Sequence, residues 1–461
     1  MRWTILSITS VIISCAVDLC PNSAEVLAGI NEDIKNTPAL PRWADYFPPL
    51  PALNRRLRLA SPCCGIHGSS FACEAMGVAT ESNNIWDLED GYYGHLHHHL
   101  TEIGAQFFKL NLGPTKGDLL KLKLSKLELP VDGIVTGPPC PPWAGQGKHR
   151  CHKDPRAKVF LRILTWIYVL VKAGGLLFAC IENVQGILDS HHRREATMTM
   201  ILRALQLKLP EFAWRVDTLY LPDYMIPHTR TRVFLRGVRR TIVEMVPPPL
   251  APFGTRLLRD VLGLRGGTTR SELTEAQQKN LADYEDRIIE MERNGTLKPE
   301  DLVCISVDRK EDGVFSASIY INVVATLTTK NSYLFILSVK DVIDRRPDAE
   351  REFMRRLTNC ERLALQGFPP EVASWLTPAK CFRASGNAYP IPLLIAVLHP
   401  VLQAIGEKSD FNFLVWPPAS MVSRMVPSGL TEFEKLVRAT PKLLPKKSKK
   451  AQHKGRKRAY A

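Results

Sequence analysis

The sequence predicts an α/β fold, an open sheet of parallel strands carrying a smaller second lobe, and three observations lead there. From Leu57 onward, short apolar runs that stop at Gly, Pro or polar residues alternate with longer helical stretches. VDGIVTGPPC (131–140), PRAKVFLRILTWIYVLVKAGG (155–175) and LLFACIENV (176–184) follow one another as strand, helix and strand. That order places parallel strands in one sheet. Beyond about Val246 the alternation stops, which sets the rest of the chain apart.

Each element has a local cause. The 131–140 run is rich in β-branched residues and ends at a double proline, which cannot extend a hydrogen-bonded ladder. The 155–175 helix starts at Pro155, whose fixed φ suits a first turn, and stops at Gly174-Gly175. The 176–184 run is a buried strand that turns polar at Glu182. EFAWRVDTLYL (211–221) and TRVFLRGVRR (231–240) read as two further strands. PPPLAPFG (247–254) is a linker, residues 269–295 a charged helix, and 305–337 strands with turns. Helical patterning returns over 354–372 and 385–405. These elements divide the chain into an extension (1–55), an α/β domain (56–245), a second lobe (246–352), a returning segment that completes the first domain (353–406) and a basic, disordered tail (407–461). No internal repeat is present.

Of the 461 residues, 45% are hydrophobic and 23% charged, with a formal net charge of +15. The balance favours a polyanionic partner, nucleic acid ahead of a membrane surface. The 11 cysteines are odd in number and form no CxxC pair. That argues against a disulfide framework or a zinc ribbon and for reduced thiols. MRWTILSITSVIISCAV at the N-terminus has the look of a signal peptide but lacks a small-x-small cleavage site. We read it as an extension, with an organelle or secretory signal as the alternative, expect no stable membrane association and assume a monomer. Residues 441–461 carry many Lys and Arg and no acid, which suits nuclear import or phosphate contact. A nuclear location is therefore expected. The His95 and His97–His99 cluster has no other ligand at metal spacing nearby, so no metal is assigned.

In open parallel sheets, chemistry gathers at the carboxyl ends of the strands. Cys140 and Glu182 both fall there. Alone, Cys140 would be a small buried hydrophobe and Glu182 a solvated carboxylate. Together with other motifs they mean more. Pro138-Pro139-Cys140, Glu182-Asn183-Val184, His228-Thr229-Arg230-Thr231-Arg232, LTNCERLALQGFP (357–369) and GNAYPIP (386–392) occur in this order. The chain resembles the C5-cytosine DNA methyltransferases from about residue 57 to 405. In that family the third motif reads Gln-x-Arg-x-Arg.

The resemblance implies a Rossmann-like, S-adenosyl-L-methionine-dependent methyltransferase sheet, with 246–352 as the target-recognition lobe. It implies that a methyl group passes to carbon 5 of a cytosine flipped out of double-stranded DNA. Cys140 would supply a thiolate to carbon 6, making carbon 5 nucleophilic. Glu182 would hydrogen-bond the ring N3 and exocyclic amine. Arg230 and Arg232 would orient the base and its flanking phosphate. SPCCGIHGSS (61–70) occupies the place of the family's glycine-rich cofactor loop. By that resemblance Cys64, Gly65, Ile66 and Gly68 bind the methionine part of the cofactor, with Pro138 beside them. Asp87 (with Glu89 as the alternative) matches the ribose acid, Asp118 the adenine contact, and Asn387 the residue closing the site. GQGKHRCHKDPR (145–156) resembles the mobile loop that meets DNA, with Lys148, Arg150 and Lys153 as phosphate contacts.

The chain departs from the family at named positions. Ser61 stands in place of an aspartate, and His67 replaces a glycine at a position where a side chain favours φ below zero. Pro141-Pro142-Trp143-Ala144 replace a run containing Gln and Ser, removing two N–H donors and a hydroxyl. Two alternatives follow: a catalytically impaired DNA-binding homologue, and a tRNA cytosine-5 methyltransferase. Against the second, the Cys-Phe-Thr signature has only Cys381-Phe382-Arg383 as a counterpart.

Overall fold

The computed structural model describes residues 32–53, 55–63, 65–86, 119–121, 130–144, 154, 156–190, 196–263, 270–308, 319–329 and 334–408. A six-stranded sheet forms the larger body. Its strands are β1 (Leu57–Pro62), β2 (Thr80–Trp86), β3 (Gly133–Thr136), β4 (Phe178–Val184), β5 (Phe212–Tyr220) and β6 (Thr231–Arg239), in the order β2-β1-β3-β4-β6-β5. β2, β1, β3 and β4 run parallel. β6 is antiparallel to both β4 and β5, so the sheet is parallel-dominated rather than all-parallel. The cause is the short connection between β5 and β6, which allows only a reversal and no crossover helix.

Helices cover both faces. α1 (Gly68–Ala75) follows β1. α2 (Ala157–Lys172) precedes β4 and is buried around most of its circumference, as its nearly unbroken apolar sequence requires. α3 (Thr197–Lys208) packs beside it in one core cluster with Trp143, Phe160 and Trp166. Opposite these, the sheet packs against the returning C-terminal segment.

The second lobe holds helix α4 (Glu275–Arg293), which opens on a capping box between Thr274 and Gln277. Against it lies a four-stranded sheet in the order β10-β9-β7-β8: β7 (Leu302–Ser306), β8 (Tyr320–Ile321), β9 (Leu334–Ser338) and β10 (Met354–Arg356). A short helix, α5 (Val339–Ile343), follows β9. Residues 354–356 thus form a strand paired with β9, where the sequence suggested the start of a helix. The pairing takes precedence over local helical periodicity because Met354 is fully buried in this lobe's core. The helix proper is α6 (Asn359–Ala364), opened by a second capping box between Thr358 and Glu361.

α7 (Pro378–Asn387) and α8 (Ile391–Glu407) return to the first domain. A buried Arg236 on β6 joins Asp217 on β5 to two distant backbone carbonyls, those of Val397 and Pro247. One guanidinium thereby ties the antiparallel edge to α8 and to the linker. Among the described residues no single helix is long and apolar enough to cross a membrane.

Candidate active site

β3 and β4 are adjacent and parallel, with Thr136 opposite Ile181. Glu182 therefore lies one residue beyond the end of β3, within β4. Cys140 follows β3 by four residues and is half-buried. The intervening Gly137-Pro138-Pro139 carries the chain across the end of β4. Gly137 has to be a glycine: a Cβ there would lie 2.4 Å from the ring of Tyr389 and 3.1 Å from Glu182 Oε2. The backbone passes close between the Glu182 carboxylate and Tyr389 of the C-terminal segment.

Asn183 Nδ2 donates to the Pro138 carbonyl at 3.4 Å, and the Val184 N–H donates back to Asn183 Oδ1 at 2.9 Å. The neighbour of Glu182 thus holds the chain two residues before Cys140. After Cys140, the N–H groups of Trp143 and Ala144 both donate to the Cys140 carbonyl, closing a turn. Pro141 and Pro142 fall where the turn uses no N–H, so these substitutions suit it. Trp143 is buried, donates from Nε1 to Thr197 Oγ1 at 3.1 Å and meets Phe160 edge-on at 5.4 Å. Its carbonyl abuts Gly186, where a Cβ would come within 2.0 Å of the oxygen. The Pro-Pro-Trp run is an anchored turn. Sequence reasoning missed Trp143 as an anchor, although an apolar indole between proline and alanine was a signal for it.

Arg232 Nε donates to Glu182 Oε1 at 2.5 Å, both side chains being about one-tenth exposed. Arg230 is buried deeper and is spent on backbone: its guanidinium donates to Gly386 O at 3.3 Å and Ala388 O at 2.7 Å. Arg232 therefore faces the carboxylate, while Arg230 clamps the turn after α7. Burial pushes the Cys140 thiol above its ordinary value. The charge of Arg232 pulls it back, Glu182 raises it further, and Arg230 lowers it.

The cofactor side fits its expected occupant as far as it is described. Cys63 adopts φ +54°, Gly65 φ +56° and His67 φ +58°, so the turn from β1 into α1 is left-handed at three places. The sequence suggested that a side chain at 67 would hold φ below zero. The fold overrides that preference because the ring is fully buried and packed. The first turn of α1 has no side-chain cap, and its Ser70 N–H folds back to the His67 carbonyl at 2.9 Å. Gly68 lies so close to Tyr389 that a Cβ would sit 3.0 Å from the ring. Tyr389 OH donates to Cys63 O at 2.6 Å, and Thr136 Oγ1 donates to Pro62 O at 2.5 Å. Thus the β1 loop, the β3 end and the C-terminal turn meet beside Gly65, Ile66, Gly68 and Pro138, all buried. Ser61, in place of the aspartate, is buried against Ser69 at 3.1 Å. Asn387 ends α7 and is exposed. Cys64, Asp87, Glu89, Asp118, Lys148, Arg150, Lys153 and the His95–His99 cluster lie outside the described residues.

Residues 57–403 match the profile of the C-5 cytosine-specific DNA methylases. Type II methyltransferase M.FnuDI of Fusobacterium nucleatum is 24% identical over 315 residues, which cover 64% of this chain and 85% of its own length. Type II methyltransferase M.HpaII of Haemophilus parainfluenzae is 20% identical over 368 residues, covering 78% and 93%. The solved structure of an Entamoeba histolytica methyltransferase, EhMeth, aligns with a TM-score of 0.47 at 16% identity, over 76% of this chain and 99% of that one. The match runs from β1 into α8, across the elements that build the site, and the chain belongs to the C-5 cytosine-specific DNA methylase family.

Proposed function

We propose that the chain methylates carbon 5 of cytosine in double-stranded DNA through a covalent adduct of Cys140. The observation that carries this is the placement of Cys140 and Glu182 at the ends of adjacent strands, with Arg232 bonded to Glu182. The Cys140 thiolate adds to carbon 6 of the flipped base, and the π electrons of the 5,6 double bond move toward N3. Glu182 receives that charge by hydrogen bonding N3 and the exocyclic amine, and Arg232 holds the carboxylate for it. Carbon 5 is then the nucleophilic atom of the ring. S-adenosyl-L-methionine, held by Gly65, Ile66, Gly68 and Pro138, supplies an electrophilic methyl group at a sulfonium. Loss of the carbon 5 proton to a base and departure of Cys140 restore the double bond.

The second lobe, 246–352, is the part that meets the target sequence in this reading, with Lys148, Arg150 and Lys153 adding phosphate contacts. The basic run at 441–461 supports a nuclear location, which a fluorescent fusion with and without that run tests. The activity is tested with duplex DNA and methyl-labelled cofactor. The wild-type chain labels DNA and Cys140→Ala does not. Tight binding of duplex without label in either would instead make the chain an impaired homologue, and label in tRNA alone would make it an RNA enzyme.

A further inference from the structure

His228 is fully buried just before Arg230 and Arg232, and both of its ring nitrogens are engaged. The Leu327 N–H donates to Nε2 at 2.9 Å, so that nitrogen carries no proton. Nδ1 lies 3.1 Å from the Leu365 carbonyl and is the donor. The ring is therefore the neutral Nδ1–H tautomer. Burial and the charge of Arg230 hold its pKa well below the ordinary value, with Arg232 and Arg362 acting in the same direction.

The segment it grips, residues 324–329, comes from the second lobe. Its Val324 bridges His228, with Val324 N–H donating to Pro227 O and Thr229 N–H to Val324 O, each at 2.8 Å. Thr326 Oγ1 donates to Thr229 O. Past Leu327 the same strap runs against Gly386. A Cβ on Gly386 would lie 2.5 Å from Thr328 C and 2.6 Å from Thr329 N. Gly386 is also the residue whose carbonyl takes the Arg230 guanidinium. One path thus runs from the imidazole through the strap to the turn that Arg230 clamps.

We propose that His228 is a positioning residue, which locks the strap of the second lobe onto the catalytic sheet and so sets the lobe's pose for duplex DNA. Two partners on different segments need one side chain with a donor at one end and an acceptor at the other. A glutamine amide meets that need; leucine fills the space and does neither. The inference rests on the reading of the second lobe as the DNA-facing one, and its test keeps the two apart.

The test uses the full chain with His228→Gln and His228→Leu. Amide exchange over 324–329, duplex affinity and the rate of Cys140 alkylation by iodoacetamide are measured in each. In the leucine variant, loss of both buried hydrogen bonds, one of them to the strap, gives about tenfold faster strap exchange and about tenfold weaker duplex binding. Alkylation of Cys140 changes less than about twofold, because no bond to the nucleophile's turn is lost. The glutamine variant returns exchange and affinity to wild type. Wild-type exchange in the leucine variant, or a glutamine variant as defective as leucine, overturns the proposal. Should the leucine variant not fold, nitrogen NMR of the wild-type imidazole decides: an Nε2–H or doubly protonated ring overturns it. Faster strap exchange with unchanged duplex affinity sinks the DNA-facing reading of the lobe and leaves the lock in place.

Discussion

Arg232 reaches Glu182 across an antiparallel ladder, Nε to Oε1 at 2.5 Å, from a position opposite Val184. The antiparallel turn of β6 therefore has a purpose in the site. It brings the start of β6 to the end of β4, where a parallel strand would have delivered its far end.

Loss of either member leaves an uncompensated charge that is only about one-tenth exposed. Arg232→Ala is expected to abolish methyl transfer and to cost about 3 kcal/mol of stability. Arg232→Lys recovers part of the stability but little activity, because an ammonium lacks the planar fork. Denaturant melts and label incorporation measure the two effects separately.

The thiol of Cys140 stands above its ordinary value because burial outweighs its cationic neighbours. The neutral form then dominates at pH 7, and the alkylation rate rises with pH up to the raised pKa. Glu182→Gln removes a nearby negative charge, lowers the thiol pKa and speeds alkylation at pH 8, even as methylation is lost. Arg232→Ala acts in the opposite sense. A glutamine variant alkylated more slowly than wild type would contradict this account.

Trp143 fixes the turn after Cys140 through Thr197 and Phe160. Trp143→Phe keeps the packing and loses the N–H bond, as does Thr197→Val from the other side. Each is expected to cost about 1 kcal/mol, and the double variant no more than either alone. Additive losses in a double-mutant cycle would show that the indole N–H and the hydroxyl do not act on each other.

Gly186→Ala drives a methyl group toward the Trp143 carbonyl, which lies 2.0 Å from the Cβ position. Overpacking here is expected to cost about 1–3 kcal/mol and to lower kcat more than KM for DNA, since it displaces the nucleophile's turn. Steady-state kinetics on a soluble variant check the split. Equal kcat and KM effects would place the disturbance elsewhere.

Much of this was legible in the chain itself. β3, α2, β4, β5 and β6 lie within a few residues of the runs that announced them, because each is bounded by proline, glycine or a polar break. Cys140, Glu182 and Arg232 do come together. The separate tasks of the two arginines were not readable: Arg230 and Arg232 sit two apart, and only the position of Gly386 and Ala388 decides which one turns inward. The left-handed His67 was also hidden, since local preference opposes it and tertiary packing overrules. Met354–Arg356 read as helix for the opposite reason: pairing with β9 depends on residues far from its own window.

The bond from Tyr389 to the Cys63 carbonyl spans 326 positions of sequence. The turn from β1 into α1 is thus synthesised long before the ring that braces it. Such distant closure slows folding, and on a ribosome it means that the nascent chain holds an unbraced loop until α8 has emerged. Chains truncated before residue 389 are expected to keep Cys140, Glu182, Arg230 and Arg232 and still be inert.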